Sequence, residues 1–124
     1  MTYDNTQRVG NVILDYTYYC GEDLYTEGAI EDRLLDYVKN NPPLDYERYI
    51  TVSRSWSVMY HLSHIRENVA RWLPINASDS VLEIGSGCGA ITGALARLAG
   101  FVTCVELSKK KALSMPTRTK RTIT

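Results

Sequence analysis

The sequence predicts an α/β fold: an incomplete sheet of two parallel strands with their crossover helix, preceded by an α-rich N-terminal segment. Two observations predict the sheet, because apolar runs at residues 80–84 and 101–106 flank a glycine cluster and a stretch of strong helix formers at 90–98. A third observation, apolar residues at helical spacing within residues 29–39, predicts helices ahead of the sheet.

The composition is that of one ordinary globular domain. The chain has 124 residues, of which 44% are hydrophobic and 23% charged. No apolar run approaches the roughly 18 residues of a membrane-spanning helix, and residues 1–10 lack the pattern of a secretory signal. We therefore expect a cytoplasmic protein without membrane contact, organised as an α-rich segment (1–60), the start of a ligand-binding domain (61–108) and a tail (109–124).

The tail is predicted to be basic and disordered. All 14 acidic residues precede residue 107, whereas residues 109–121 carry six basic residues and no acidic one. Nucleic-acid binding is an alternative that is not indicated, because the tail has no interleaved aromatic residues.

The N-terminal segment is predicted to hold a strand and at least one helix. Alternation within residues 11–19 predicts a strand with four side chains on one face: Val12, Leu14, Tyr16 and Tyr18. The helix at residues 29–39 carries Ile30, Leu34 and Val38 at spacings of four and ends at the cluster Asn40-Asn41-Pro42-Pro43. A second, short helix is expected within residues 45–57.

A further helix is predicted over residues 64–73. Ser63 is a suitable N-cap and Pro74 ends the run. An apolar stripe should pack against the sheet, and it consists of Ile65, Val69, Trp72 and Leu73.

Residues 80–106 form a predicted strand, helix and strand, with Gly100 ending the helix. Such a crossover joins parallel strands and is right-handed. The glycine loop then lies at the carboxyl edge of the sheet, where open α/β folds bind ligands. Gly85, Gly87 and Gly89 let a ligand lie close to the backbone, and Glu106 is placed to accept hydrogen bonds from both hydroxyls of a ribose.

These residues resemble a family. The runs Glu83-Ile84-Gly85-Ser86-Gly87-Cys88-Gly89 and Val105-Glu106-Leu107-Ser108 are similar to the first two motifs of class I S-adenosylmethionine-dependent methyltransferases. The resemblance implies a Rossmann-like sheet, S-adenosyl-L-methionine as cofactor, and direct displacement at its sulfonium methyl group. It implies that Glu83 supports the loop and the amino end of the donor, and that Glu106 binds the ribose. The expected cofactor-binding residues are Glu83, Ile84, Gly85, Ser86, Gly87, Cys88, Gly89, Glu106 and Leu107.

The segment ahead of the strand at residues 80–84 is expected to contribute to the same donor site. The resemblance makes Tyr60 and His61 candidates to line it, while Arg66 and Glu67 are expected to be surface charges of the helix. This stretch resembles a bacterial subset associated with cell-surface glycan assembly, whereas the glycine motif with Thr92 is shared with ribosomal-RNA adenine methyltransferases. The methyl acceptor, glycan or RNA, therefore stays open.

Two alternatives to a methyl-donor site remain. The spacing of Gly85, Gly87 and Ala90, with Glu106 beyond, also satisfies a loose fingerprint for an NAD or FAD oxidoreductase. The acid two residues before the first glycine and the third glycine at position 89 favour the methyl donor. The other alternative is a noncatalytic interaction module that completes its sheet through a partner or by self-association.

No catalytic or metal-binding residue is assigned. Cys20, Cys88 and Cys104 form no C-x-x-C pair, and we expect free thiols, with Cys88 a small loop residue rather than a nucleophile. His61 and His64 lack neighbouring ligands for a metal. Only 18 residues follow Glu106, so motifs that carry the acceptor site in the family are missing. We expect an enzyme fragment that binds the donor without turnover.

Overall fold

The computed structural model describes residues 5–116. Over this range the chain forms six α-helices, two short 3₁₀ helices and two sheets of two strands each, so the fold is mixed α/β. None of the helices in this range is long and apolar enough to cross a membrane.

The chain opens with a β-hairpin. Strands β1 (Thr6–Val9) and β2 (Val12–Asp15) pair antiparallel around a turn at Gly10, whose φ is 60°. Strand β2 confirms the core of the strand predicted at residues 11–19, with Val12 and Leu14 buried. Extension of that face to Tyr18 was wrong, because the chain turns after Asp15 and leaves Tyr18 exposed. Strand β1 escaped prediction because its side chains are mostly exposed and polar.

Helices fill the next stretch. Helix α1 (Ala29–Asn40) confirms the predicted helix, and a 3₁₀ helix (Pro43–Asp45) leads into α2 (Tyr46–Ser53) and α3 (Trp56–Leu62). Ser55 caps α3 by accepting a hydrogen bond from the Val58 N–H. Helices α1, α2 and α3 enclose one small core, formed by Leu34, Val38, Tyr46, Val58 and Leu62.

The helix predicted over residues 64–73 is divided and faces the other way. Ser63 caps a 3₁₀ helix (His64–Glu67), which continues as the short helix α4 (Asn68–Arg71). Three members of the predicted buried stripe are exposed instead: Ile65, Val69 and Trp72. Ala70 is the residue of α4 that enters the core, with Leu73 packed partly against it.

The central unit matches its prediction closely. Strand β3 (Ser80–Ile84), helix α5 (Thr92–Leu98) and strand β4 (Phe101–Val105) follow in order, and the two strands pair in parallel. Helix α5 begins at Thr92 rather than Ala90, because the glycine loop continues as a turn to Ile91. The second core lies between this unit and the hairpin, and its buried members are Val12, Leu14, Ala70, Ala94, Leu95, Ala96, Ala99 and Val102.

The start of the expected disordered tail is a helix. Helix α6 (Lys109–Ser114) has Ser108 as its N-cap, and a remote carboxylate supports its first turn. Asp23 accepts hydrogen bonds from the Lys109 and Lys110 N–H groups and from the Ser108 hydroxyl. The remaining tail residues, 117–124, lie outside the described range.

The two faces of the β3–β4 sheet differ. One, the inner face, consists of Val81, Glu83, Val102 and Cys104 and points to the second core and the glycine loop. The other, the outer face, carries apolar side chains that are 40% to 79% exposed: Leu82, Ile84, Phe101 and Val105. Within the described residues, this outer face is therefore only partly covered.

Candidate functional site

The loop between β3 and α5 is built on three glycines with left-handed backbone. Gly85, Gly87 and Gly89 have φ of 73°, 57° and 81°, values that residues with a Cβ rarely adopt. The left-handed backbone accounts for glycine at these three places, while the close approach of a ligand stays a prediction. A Cβ on Gly85 would meet no atom within 4 Å, whereas one on Gly89 would lie 2.9 Å from Met115 Cγ.

Strand β4 anchors the start of this loop. The Val105 carbonyl accepts hydrogen bonds from the N–H groups of Gly85 at 2.8 Å and Ser86 at 3.3 Å. Ser86 Oγ is buried and interacts with the Cys104 thiol of β4.

Glu106 follows directly on β4 and reaches across to the loop. One carboxylate oxygen accepts a hydrogen bond from the Gly87 N–H at 2.6 Å, and the other accepts one from the Ser108 N–H at 2.9 Å. These backbone donors hold the carboxylate at the carboxyl edge of the sheet, beside the middle glycine.

Glu83 lies on the inner face beneath the same loop. Thr92 Oγ1 donates to its carboxylate at 2.6 Å, which joins the end of β3 to the first turn of α5. Burial raises the pKa of Glu83, and the hydrogen bond from Thr92 and the charge of Arg66 act against that rise. Burial and the neighbouring Glu83 carboxylate also raise the pKa of the Cys104 thiol to about 12, so this cysteine stays a thiol at neutral pH.

A histidine and a carboxylate from the N-terminal segment close one side of the site. His61, on α3, brings Nε2 to 2.6 Å from an oxygen of Glu27, and Ser57 Oγ donates to the other oxygen at 2.8 Å. Partial burial acts to raise the pKa of Glu27, but the hydrogen bonds from His61 and Ser57 and the charges of His61 and Lys111 outweigh it and lower the pKa. Glu27 is therefore an anion that holds His61 in place.

Tyr60 and Arg66 form the outer wall. The Arg66 guanidinium lies 3.9 Å from the centroid of the Tyr60 ring and donates to the Tyr60 carbonyl and hydroxyl oxygens, at 3.1 Å and 3.3 Å. Glu67, the next residue, is mostly buried and pairs with Arg71 and Arg97. Arg66 and Glu67 were both expected to be surface charges of the helix: Glu67 does pair with exposed arginines, whereas Arg66 lines the cavity described below.

Together these groups surround a cavity of about 180 Å³ at the carboxyl edge of β3 and β4. Its lining comes from the loop, the N-terminal segment and α6, and comprises Tyr60, His61, Arg66, Glu83, Gly85, Ser86, Gly87, Ile91, Glu106 and Lys111. Lys111 is held by an ion pair with the buried Glu31, at 3.3 Å. The cavity thus has two carboxylates and two cations on its wall.

The structure brings together five of the nine residues expected at the site: Glu83, Gly85, Ser86, Gly87 and Glu106. The other four lie apart from the cavity wall. Ile84 and Leu107 are exposed, Cys88 is buried, and Gly89 backs onto Met115. Tyr60 and His61, the upstream candidates, both line the cavity.

Sequence reasoning missed Ile91, Lys111 and Glu27 altogether. Lys111 and Glu27 belong to segments far from the loop in sequence, and no local pattern links them to it. For this wall, the family resemblance had named Tyr60 and His61 as candidates.

A second cavity, of about 340 Å³, lies between α1 and α2 and is lined by Tyr37, Asn41, Asp45, Arg48, Tyr49 and Val52. It is larger, but it joins none of the glycine-loop residues. Within residues 5–116, no group of three or more His, Cys, Asp or Glu side chains could hold a metal ion.

Comparisons of the chain with protein-family models, with curated proteins and with solved structures found no match. The chemistry of the site is defined by its own groups: close-approach backbone at Gly85 and Gly87, a carboxylate at each strand end, and a buried histidine. These groups suit a ligand that combines hydroxyls, a positive centre and an extended polar chain.

Proposed function

We propose that the chain is the donor-binding part of a class I S-adenosylmethionine-dependent methyltransferase with a Rossmann-like sheet. One observation carries the proposal. A parallel strand, glycine loop, helix and strand place three left-handed glycines opposite Glu106 at the carboxyl edge, with Glu83 beneath. Ligands of open α/β sheets bind at that edge.

The groups of the cavity match the parts of S-adenosylmethionine. Glu106 is placed for the two ribose hydroxyls, and Gly85 and Gly87 leave room for the methionine chain over the backbone. Glu83 and Glu106 complement the positive charges of the donor, while Arg66 supplies a cation for its carboxylate. When bound, the donor supplies an electrophilic methyl group, and the chain supplies position and charge.

The volume of the cavity sets a condition on binding. At about 180 Å³ it is below the roughly 300–1,000 Å³ typical of small-molecule sites. We therefore expect Tyr60 and Arg66, which form the outer wall, to move outward as the donor enters.

Calorimetric titration with S-adenosylhomocysteine tests the proposal, with NAD as the competing ligand. We expect binding of S-adenosylhomocysteine and none of NAD. A cooperatively folded chain that binds NAD but not S-adenosylhomocysteine would instead establish the dinucleotide alternative.

Glu106→Gln sharpens this titration. Glutamine keeps the size of the side chain but replaces the carboxylate that accepts hydrogen bonds from the ribose hydroxyls. The affinity for S-adenosylhomocysteine should therefore fall about tenfold to a hundredfold. Glu47→Gln is the matched control, since Glu47 pairs with His64 at an exposed site away from the cavity. Equal losses in the two variants would contradict a ribose-binding role for Glu106.

The outer face favours a second candidate, a noncatalytic interaction module that associates through this surface. Its apolar side chains are uncovered in the described residues, and Ile84 is 79% exposed. Sedimentation of wild type and Ile84→Lys distinguishes the two candidates. Self-association that Ile84→Lys abolishes, without binding of S-adenosylhomocysteine, would support the module.

A further inference from the structure

We infer that the second cavity, between α1 and α2, is a binding site for a free aromatic α-amino acid in its zwitterionic form. This site is separate from the proposed methyl-donor site and shares none of its lining residues. Its volume of about 340 Å³ lies within the roughly 300–1,000 Å³ that is typical of small-molecule sites.

The walls of the second cavity come from two helical stretches of the N-terminal segment. Tyr37 lies near the end of α1, and Asn41 directly follows that helix. The opposite wall has side chains at spacings of three, four and seven residues, which share one face of the 3₁₀ helix and α2: Asp45, Arg48, Tyr49 and Val52. Both stretches adjoin the small core that α1, α2 and α3 enclose, so a packed core supports the site.

Two stacked tyrosine rings give the cavity an aromatic surface. The rings of Tyr37 and Tyr49 are nearly parallel, at an angle of 10°, and their centroids are 3.8 Å apart. Tyr37 also contacts the ring of the buried Tyr46, with centroids 6.1 Å apart, so Tyr49 is the outer ring of a column that starts in the core. A flat ring of a ligand can extend this column by stacking on Tyr49.

Hydrogen bonds within the chain hold the aromatic surface in place. The Tyr37 hydroxyl donates to the Asp45 carbonyl oxygen at 3.1 Å and thereby joins α1 to the start of α2. The side-chain amide of Asn41 donates to the Tyr37 carbonyl oxygen at 2.9 Å. Binding therefore requires little further ordering of the rings.

The wall also carries a cation and an anion that form no ion pair among the described residues, Arg48 and Asp45. Asp45 occupies the N-cap position of α2, where an aspartate often accepts from the N–H groups of the helix, but its carboxylate makes no such bond. Burial and the charge of Asp45 raise the pKa of the Tyr37 hydroxyl, and the charge of Arg48 acts against that rise. Both charges therefore lie near the same ring.

These groups fit a ligand that has a ring and two opposite charges. The guanidinium of Arg48 matches a carboxylate, and the carboxylate of Asp45 accepts from an ammonium group. An α-amino acid carries both charges on one carbon, and an aromatic side chain adds the ring that stacks on Tyr49. A neutral ring, such as a sugar or a nucleobase, would leave both charges of the wall without a partner.

The test is a titration of the ¹⁵N-labelled full chain with L-phenylalanine at about pH 7, where this ligand is a zwitterion. We expect changes in amide chemical shift centred on Tyr37, Asn41 and Arg48. Two trimmed ligands isolate the charges, because phenethylamine lacks the carboxylate and 3-phenylpropionate lacks the ammonium group. Each should bind about threefold to tenfold more weakly than phenylalanine.

Variants assign each contact to a residue. Arg48→Gln should remove the preference for phenylalanine over phenethylamine, and Asp45→Asn should remove the preference over 3-phenylpropionate. Tyr49→Leu should weaken binding of all three ligands about threefold to tenfold. Arg33→Gln is the matched control, since Arg33 is exposed on α1 and does not line the cavity, and it should change none of the dissociation constants. Circular dichroism checks that each variant folds, and the ligand series on the wild type tests the charges without any variant.

Three outcomes would overturn the inference. The first is no shift change at the second cavity with phenylalanine near its solubility limit, or changes centred on Gly85 and Gly87 instead. The second is equal binding of phenylalanine and its two trimmed forms. The third is binding of methyl β-glucoside or uridine, the neutral rings, in preference to phenylalanine. Because S-adenosylhomocysteine takes no part in these titrations, each outcome leaves the methyl-donor proposal to its own test.

Discussion

The inner and outer faces of the β3–β4 sheet both carry apolar side chains but differ in what those side chains contact. Val102, on the inner face, is 0% exposed, whereas Val105, three residues later on the same strand, is 47% exposed. The inner face packs on the second core and supports the glycine loop through Glu83. Stability and the candidate site therefore depend on the inner face, while the outer face is open to further contacts.

The largest expected effect comes from placing the same charge on each face. Val102→Asp buries a carboxylate without a partner and should cost at least about 4 kcal/mol of unfolding free energy, enough to unfold the chain. Val105→Asp should cost less than about 1 kcal/mol. Urea denaturation followed by circular dichroism measures the unfolding free energy of both variants. Similar losses in the two would contradict the difference between the faces.

The contrast extends to the ion pairs that fix α6 to α1. Lys111 pairs with Glu31, whose side chain is 1% exposed, while Lys110 pairs with the exposed Asp32. Lys111→Met leaves a buried carboxylate without its cation and should cost about 3 kcal/mol, against less than about 1 kcal/mol for Lys110→Met. Thermal unfolding of the two variants tests this order, and a larger loss in Lys110→Met would reverse it.

Within the glycine loop, Gly89 is covered by Met115 at the end of α6 and Gly85 faces open space, so we expect a smaller difference in unfolding free energy between their alanine variants. Gly85→Ala and Gly89→Ala both place a Cβ on left-handed backbone, which costs roughly 1 kcal/mol. Only at Gly89 does the new atom meet a neighbour, Met115, so this variant should lose about 1 to 2 kcal/mol more than the other. Equal unfolding midpoints would show that Met115 moves aside without loss of unfolding free energy.

The smallest effect concerns Glu83 and depends on pH. Because its pKa is raised in the folded chain, the ionised carboxylate is disfavoured there, and its cost to stability grows as pH rises above the unfolded value of about 4.5. Glu83→Gln should therefore be as stable as wild type or slightly more stable at pH 7, with the advantage shrinking toward pH 4. Denaturation midpoints at the two pH values check the sign, and a large loss at pH 7 would contradict it.

The sequence predicted the parts of the fold that local pattern controls. Strand β3, α5 and strand β4 were located to within two residues, because glycine chemistry and apolar runs specify them without distant contacts. Gly87 and Glu106 were expected beside the loop for the same reason, whereas Glu83 was expected there from the family resemblance, and all three line the cavity. The predicted parallel pairing followed from the length of the crossover.

Long-range contacts explain what the sequence did not predict. The first turn of helix α6 is supported by Asp23, 86 residues before Lys109, and no pattern near Lys109 indicates that carboxylate. The stripe of Ile65, Val69 and Trp72 has helical spacing, yet spacing alone does not say whether another element covers it. The pairing of Glu27 with His61 likewise exists only once the N-terminal segment has folded against the loop.

The most direct test of the donor site is a titration of the ¹⁵N-labelled chain with S-adenosylhomocysteine, followed amide by amide. We predict that the largest changes in amide chemical shift occur at Gly85, Gly87 and Glu106, at the carboxyl edge. The amide of Leu82, in the middle of β3, should change little. Shifts centred on the outer face, or on the cavity between α1 and α2, would contradict a methyl-donor site in the glycine loop.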